Sequence, residues 1–285
     1  MPLDSSIVGA STPAMEHLVD ERWIMAYAAS LADYNPAYMD TEAHKVLAHP
    51  VFPVCPEWPV ILDTRNLAAQ SSLTPQEGAR GVHAAHDLHI FSPIQAGDRI
   101  STTCTMVSVD KIRPGAAYTM RLDTKNVETG ELVARTYQVG IYRGVDIEGE
   151  PHQCEAVPEL PLWQNPAGQY ESAIQVPEGA AHTYTECARI WNPIHTDRAV
   201  ALAAGLPDII LHGTATLALA VTEIVNRFAE GDPRRVVRLG GRFASMVLMP
   251  STIRLQAVLA DNVVSFQVIT EGGDTAISQG FVCLS

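Results

Sequence analysis

The sequence predicts an α+β fold made twice over: two repeats, each an antiparallel sheet wrapped around a long buried helix. The first observation is a fixed offset. Tyr27 and Tyr184, Asn35 and Asn192, Pro36 and Pro193, Asp40 and Asp197, and Pro50 and Pro207 all lie 157 residues apart, with Tyr38 opposite His195. Ungapped self-similarity at such a period marks a duplicated unit. The second is the run "HGTATLALAVTEIVNRFAEGDP", whose apolar Leu217, Val221, Ile224, Val225 and Phe228 follow helical spacing while its first three turns carry almost no charge. A helix without a polar face is buried on nearly all sides. The third is the alternation of the last 34 residues, broken at Asp261-Asn262 and Gly272-Gly273, which reads as a three-stranded antiparallel meander.

Taken along the chain, each half repeats one order of elements. A short helix precedes an Asn-Pro motif, and a second, such as "TDRAVALAAGL" stopped by Gly205 and Pro207, follows it. The long apolar helix comes next, then strands; in the first half "YTMRLDTKNVETGELVARTYQVGIYR" turns at Glu128 to Gly130. A sheet must hide one face, and a helix with no solvent side supplies the cover. Two such units can pair sheet edges into one continuous sheet, which protects those edges. Between them, "EGEPHQCEAVPELPLWQNPAGQYESAIQVPEG" is rich in Pro, Glu and Gly and lacks either periodicity, so it reads as a linker. The expected organisation is a first repeat over 1–144, a linker over 145–178 and a second repeat over 179–285, each of ordinary domain size.

Composition narrows the function. The chain has 285 residues, 47% of them hydrophobic and 18% charged, enough apolar material for a substantial core. No window approaches the roughly 18 apolar residues of a membrane span. The N-terminus lacks the basic residue and apolar run of a signal peptide, so the cytoplasm is the expected compartment. A net charge of -13 opposes nucleic acid and anionic membranes as partners. Five widely spaced cysteines suggest neither a disulfide framework nor a CxxC metal site. One basic cluster stands out, Arg234, Arg235, Arg238 and Arg242 in "DPRRVVRLGGRF". It is a candidate CoA phosphate site, or Arg234 and Arg235 simply complement a helix end. His83, His86 and His89 are spaced by three, but they fall where the sheet begins and have no counterpart in "VVRLGGRF", so they read as surface or core histidines.

The chemistry concentrates in the motif copies. "Y-x6-W-N-P-I-H-T-D" from Tyr184, followed by "AAGLPDIILHG" ending at Gly213, resembles the MaoC-like or R-specific enoyl-CoA hydratase family. The resemblance covers the whole chain as a double hot-dog, in which one polypeptide mimics a dimer of single hot-dogs. It implies addition of water across the C2=C3 bond of a 2-enoyl thioester on CoA or acyl carrier protein, or the reverse dehydration, with no metal or redox cofactor; a homodimer is a candidate assembly. Carried over, His195 is the acid-base and Asn192 orients water, although an Asn before Pro also serves turn geometry. Asp197 reads as a helix N-terminal residue. Gly213, after His212, offers its N–H to the thioester oxygen from a helix N-terminus, where partial positive charge favours a developing oxyanion.

The two copies depart from the family pattern in opposite ways. The family's aspartate falls on Ile190, whereas the first copy, "LADYNPAYMD", keeps Asp33 and Asn35 but places Tyr38 at the histidine. A tyrosine, with a pKa of about 10, is a poor proton carrier at neutral pH. Cys55 and Pro56 stand opposite His212 and Gly213, and a proline has no N–H to donate. The second half is therefore expected to hold the site and the first to be a structural or acyl-binding half. Glu186 and Asp208 are the nearest replacement carboxylates in sequence, and Asp33 reaching His195 across the pseudo-dimer is a further arrangement. Two other functions fit the same residues: a catalytically decayed acyl-CoA-binding or partner subunit, and a hot-dog thioesterase.

Overall fold

The computed structural model describes residues 2–67, 73–78 and 80–285. The first half comprises β1 (Leu3–Asp4), β2 (Met15–Leu18), α1 (Glu21–Ser30), α2 (Pro36–Met39), α3 (Val54–Asp63), α4 (Pro75–Gly78), β3 (Gly81–Ile90), β4 (Arg99–Ile112), β5 (Gly115–Asn126) and β6 (Leu132–Arg143). Two short strands follow, β7 (Ile147–Glu148) and β8 (His152–Gln153). The second half comprises β9 (Tyr170–Val176), α5 (Ala180–Ala188), α6 (Arg198–Ala203), α7 (Gly213–Phe228), β10 (Val236–Phe243), β11 (Ser251–Ala260), β12 (Val263–Ile269) and β13 (Thr275–Leu284).

The main sheet runs β2-β4-β5-β6-β3-β10-β13-β12-β11-β9, and each half is the other in reverse order. The seam is the antiparallel pairing of β3 with β10, from Arg238 opposite His89 to Arg242 opposite Ala85. Joining there removes two edges that would otherwise expose unpaired backbone groups. The expected turns lie where the sequence put them: β11, β12 and β13 form an antiparallel meander, and β5 pairs with β6 around the Glu128–Gly130 turn.

Arg238 fastens the seam. Its Nε and Nη2 donate to Asp87 Oδ1 and Oδ2, both at 2.8 Å, and Nη2 also donates to the Glu159 carbonyl at 2.9 Å. A planar guanidinium matches a carboxylate in this bidentate way, and both groups are largely buried. A second tie lies among the helices, where α1 packs on α5. There Tyr27 and Tyr184, fully buried, bring their hydroxyls to 3.3 Å.

The segment expected as a linker is only partly one. Its end is strand β9, paired with β11 from Ser251 opposite Val176 to Ala257 opposite Tyr170. Its start holds β7, which pairs with β1, and β8, which pairs with β4. Short pieces on a sheet edge need no apolar alternation, because one side and one edge face water. No helix among the described residues is long and apolar enough to cross a membrane.

The central helices differ. α7 has 16 residues, and Leu217, Val221, Ile224 and Val225 are all 0–1% exposed. Burying each such side chain stabilises by roughly 1.5–3 kcal/mol. α3 has 10 residues and contains Pro59. The shorter helix leaves space beneath the first half of the sheet.

Candidate active site

That space is part of a cavity of about 890 Å³, large enough for a sizeable small-molecule ligand. It is lined from the second half by Ile190, Asn192, His195, His212 and Gly213, and from the first by Glu57, Trp58, Ile61, Met120 and Gln138. Exposed Ala244, Ser245 and Met246 border it beside the motif, and exposed Arg65 and Arg143 border the first-half side.

His195 ends a 3-10 turn, Pro193–His195, whose proline pre-sets the backbone. Its Nδ1–H donates to the Ile210 carbonyl at 2.8 Å, which leaves the Nε2 lone pair as the proton acceptor. The ring stacks on His212, with centroids 3.7 Å apart and planes 25° apart. His212 Nε2 lies 3.2 Å from Thr185 Oγ1 and 3.4 Å from the Ile190 carbonyl. Burial lowers His195 from the usual 6.5 to about 4, partly opposed by the Ile210 hydrogen bond. Burial and then the neighbouring His195 depress His212 further. Both rings are neutral at physiological pH.

Asn192 and Asn35 differ in what they do for the turn. Asn35 Oδ1 accepts from Ala37 N at 2.9 Å and caps α2, while its Nδ2 donates to the Gly231 carbonyl. Asn192 makes no such cap, and its side chain stands at the cavity. Asp197, as expected, caps α6 by accepting from Ala199 N and Val200 N.

Gly213 is the first residue of α7. No side chain caps this end, and the Gly213 N–H has no partner among the described residues. A Cβ on Gly213 would meet the Phe243 ring at 3.0 Å, so a larger residue must displace that ring. The corresponding end of α3 is closed, because Val54, Cys55 and Glu57 N–H groups donate back to the carbonyls of Val51, Phe52 and Pro53. Cys55 and Pro56 lie inside α3, which begins at Val54, not ahead of it.

Neither carboxylate nearest the motif in sequence, Glu186 or Asp208, stands at the aspartate position. Ile190 is 6% exposed and lines the cavity. Glu186 is exposed and does not line it, and Asp208 pairs with Arg198 at 3.3 Å on the surface. Asp33 faces a different cavity, with Asn35, Thr222 and Glu223. It accepts from Thr222 Oγ1 at 2.9 Å and from Asn35 N at 3.1 Å, and burial raises its pKa despite those bonds. His49 Nε2 donates to the same Thr222 at 3.2 Å, completing a buried polar network at the first copy.

The arginine cluster disperses, and none of the four borders the 890 Å³ cavity. Arg234 forks onto Asp232, Arg235 reaches the Ser285 carbonyl, Arg238 belongs to the seam, and Arg242 meets Gln279 Oε1 at 3.4 Å. Arg234 and Arg235 sit on the 3-10 turn Pro233–Arg235 ahead of β10, and Arg238 and Arg242 lie on the strand itself, each with its own partner. His83, His86 and His89 lie on β3, where a bulge between His83 and Ala85 turns His83 and His86 to one face with ring centroids 5.4 Å apart. Glu57 and Gln138 were not singled out in the sequence. No spacing marks them, because they meet the site from a helix and a strand far apart in the chain.

Comparisons with known proteins agree with the fold. Residues 164–279 match the MaoC like domain, and residues 6–136 match the FAS1-like dehydratase domain region. The mouse peroxisomal multifunctional enzyme type 2 is 25% identical over 72% of this chain, which spans 28% of that protein's length. The peroxisomal enoyl-CoA hydratase 2 of Arabidopsis thaliana is 22% identical over 95% of this chain and 91% of its own. The crystal structure of a MaoC-like dehydratase from Phytophthora capsici superposes with a TM-score of 0.84 at 17% identity, covering 97% of this chain and 95% of that one.

Proposed function

Because the chain belongs to the MaoC-like dehydratase family, we propose that it is a hydro-lyase that adds water to a 2-enoyl thioester, or removes it from a 3-hydroxyacyl thioester, carried on CoA or acyl carrier protein. One observation carries the reading: the free lone pair of His195 Nε2 and the unpartnered N–H of Gly213 border one cavity. In the hydration direction, His195 Nε2 takes a proton from a water oriented by Asn192 as its oxygen attacks C3. The electron pair of the double bond moves toward the thioester oxygen, where the Gly213 N–H and the start of α7 stabilise the charge. The proton then passes to C2. Burial makes the imidazolium a short-lived carrier that gives its proton up readily.

Acid-base transfer and a helix N-terminus suffice for this chemistry, so we assign it no metal or redox cofactor. Crotonyl-CoA hydration, followed by loss of the enoyl-thioester absorbance, tests it. The expected result is turnover in the wild type and a loss of about 100-fold or more in His195→Ala. Full rate in that variant would remove His195 from the mechanism. The apolar Ile190 beside the histidine favours one second reading, a subunit that binds thioesters without turning them over; tight binding with no hydration across an enoyl-CoA panel would establish it.

A further inference from the structure

The wall of the cavity on the first-half side is mostly apolar, with Val54, Trp58, Ile61, Leu62 and Met120, but it is interrupted by a few buried polar side chains. Glu57, on the first turn of α3, is 1% exposed and lines the cavity. Thr136 Oγ1 donates to its Oε1 at 2.5 Å, while Oε2 has no partner among the described residues. Gln138, two residues beyond Thr136 on the same face of β6, also lines the cavity and is 8% exposed. Opposite Gln138 on β3 stands His86, 2% exposed, and neither of its ring nitrogens has a partner. The bulge in β3 brings His83, another lining residue, onto this row.

Buried polar atoms are nearly always paired in folded proteins, and leaving one unpaired is unfavourable. Glu57 Oε2 and both His86 nitrogens are unpartnered; Glu57 meets the sheet from α3 at Thr136, His86 stands opposite Gln138, and Glu57, Gln138 and His83 line the cavity. Burial pushes the Glu57 carboxyl up to about 8, partly opposed by the Thr136 hydrogen bond, so it is an uncharged O–H donor at neutral pH. His83 and His86 are uncharged as well, lowered by burial to about 3 and about 4. The cations at the cavity, Arg65 and Arg143, are on its exposed border and not in the row. A set of neutral donors and acceptors suits a neutral oxygen and gives no compensation to a buried carboxylate. With the thioester at Gly213, a carrier leaving by the exposed border at Ala244–Met246 would direct the acyl tail into the first half.

We propose that the acyl tail of the substrate carries a hydroxyl or ketone oxygen that hydrogen-bonds with Glu57 and Gln138, making these two residues determinants of acyl specificity. The inference rests on the thioester reading above, and binding tests it apart from turnover. The probes are octanoyl-CoA and a set of hydroxy- and oxo-octanoyl-CoAs with the oxygen placed along the distal half of the chain, titrated calorimetrically. In the wild type, at least one oxygenated chain is expected to bind about tenfold tighter than octanoyl-CoA, the worth of one good hydrogen bond in a dry site. Glu57→Leu and Gln138→Leu should each reverse that preference by weakening the oxygenated ligand and strengthening octanoyl-CoA, whereas Glu57→Gln, which keeps a donor, should retain it. A preference in binding without any hydration of the matching enoyl-CoAs would defeat the proposed reaction and leave this inference standing. Equal affinities in the wild type would overturn it, and so would an equal loss for all CoA esters in the Leu variants, because the row would then contact the carrier.

Discussion

The N-termini of α7 and α3 occupy equivalent places in the two repeats and have opposite character. α7 begins on a glycine whose N–H is free, with a histidine stacked beside it; α3 begins inside a turn that consumes its donors, and carries a proline where the glycine would be. Activation of a thioester depends on unsatisfied groups held in place, and stability depends on satisfying them. One repeat has kept the first property and the other the second. Asn192 and Asn35 differ likewise, one without a cap and one capping α2, and the helices differ in length, 16 residues in α7 against 10 in α3, which borders the cavity.

The largest test of this contrast is His195→Ala set against Asp33→Asn. The first is expected to lower kcat/KM by about 100-fold to 10,000-fold. The second removes the charge from a buried network on the other cavity, and hydration should stay within about twofold of wild type, because substitutions away from the reacting atoms act on stability instead. A comparable loss in both would mean that the two copies share one site.

Next is Arg238→Ala, which tests whether the halves depend on their seam. It leaves Asp87 buried without its guanidinium, and breaking such a pair costs about 3 kcal/mol. Burial pushes Asp87 up, but the hydrogen bonds from Arg238 and His89 bring it below the usual carboxylate range, so the loss should show in denaturant unfolding at neutral pH. An unchanged midpoint would show the strand pairing alone to suffice.

Gly213→Ala should cost about tenfold in kcat, through the Cβ pressing on Phe243 beside the oxyanion donor, with KM moving less. The mirror change, Pro56→Ala, should leave kcat unaltered. If the glycine variant also kept its rate, the N-terminus of α7 would not be the oxyanion site.

Ile190→Asp restores the family's carboxylate next to His195. A nearby negative charge favours the imidazolium, so the acid limb of the pH–rate profile should move up from about 4 toward the ordinary 6.5. An unmoved limb would place residue 190 out of electrostatic reach of His195.

The smallest effect is on the stability profile. Burial lowers His49 and His83 to about 3 and His86 and His195 to about 4, all from 6.5. Their neutral forms contribute stability that is complete above pH 6.5 and lost as pH falls toward 4, because the unfolded chain binds those protons first. Glu57 acts oppositely: raised from 4.5 to about 8, its contribution is complete below 4.5 and lost as pH rises to 8. Four histidines outweigh one glutamate, so the melting temperature should fall on acidification below 6.5. Glu57→Gln should remove that opposing loss, so that the melting temperature rises more steeply toward pH 6.5 and declines less from there to 8.

The repeat, the order of elements and the motif pair were legible in the sequence because each leaves a local trace: the offset of 157, the Asn-Pro turns and the two-residue breaks in the meander. Strand β9 was not, since an edge strand alternating exposed Glu171 and Gln175 inside a Pro- and Gly-rich stretch has the texture of a linker. The basic cluster was legible as a run of arginines, but their partners were not: Arg238 is held by Asp87, 151 residues away. Glu57 was silent altogether: its hydrogen-bond partner Thr136 is 79 residues away, and a single acid in "VCPEWPV" has no pattern to belong to.

The hydroxyl contact between Tyr27 and Tyr184 lies between equivalent positions of the two repeats, where a symmetric dimer would place a residue against its own copy. In such a dimer every mutation is inherited twice, so neither subunit can give up a donor, shorten a helix or acquire an acid without the other doing the same. Fusion into one reading frame ends that coupling. Asp33 and His195 can then each persist where its counterpart has drifted, and a cavity can open in one repeat while the helix of the other stays whole.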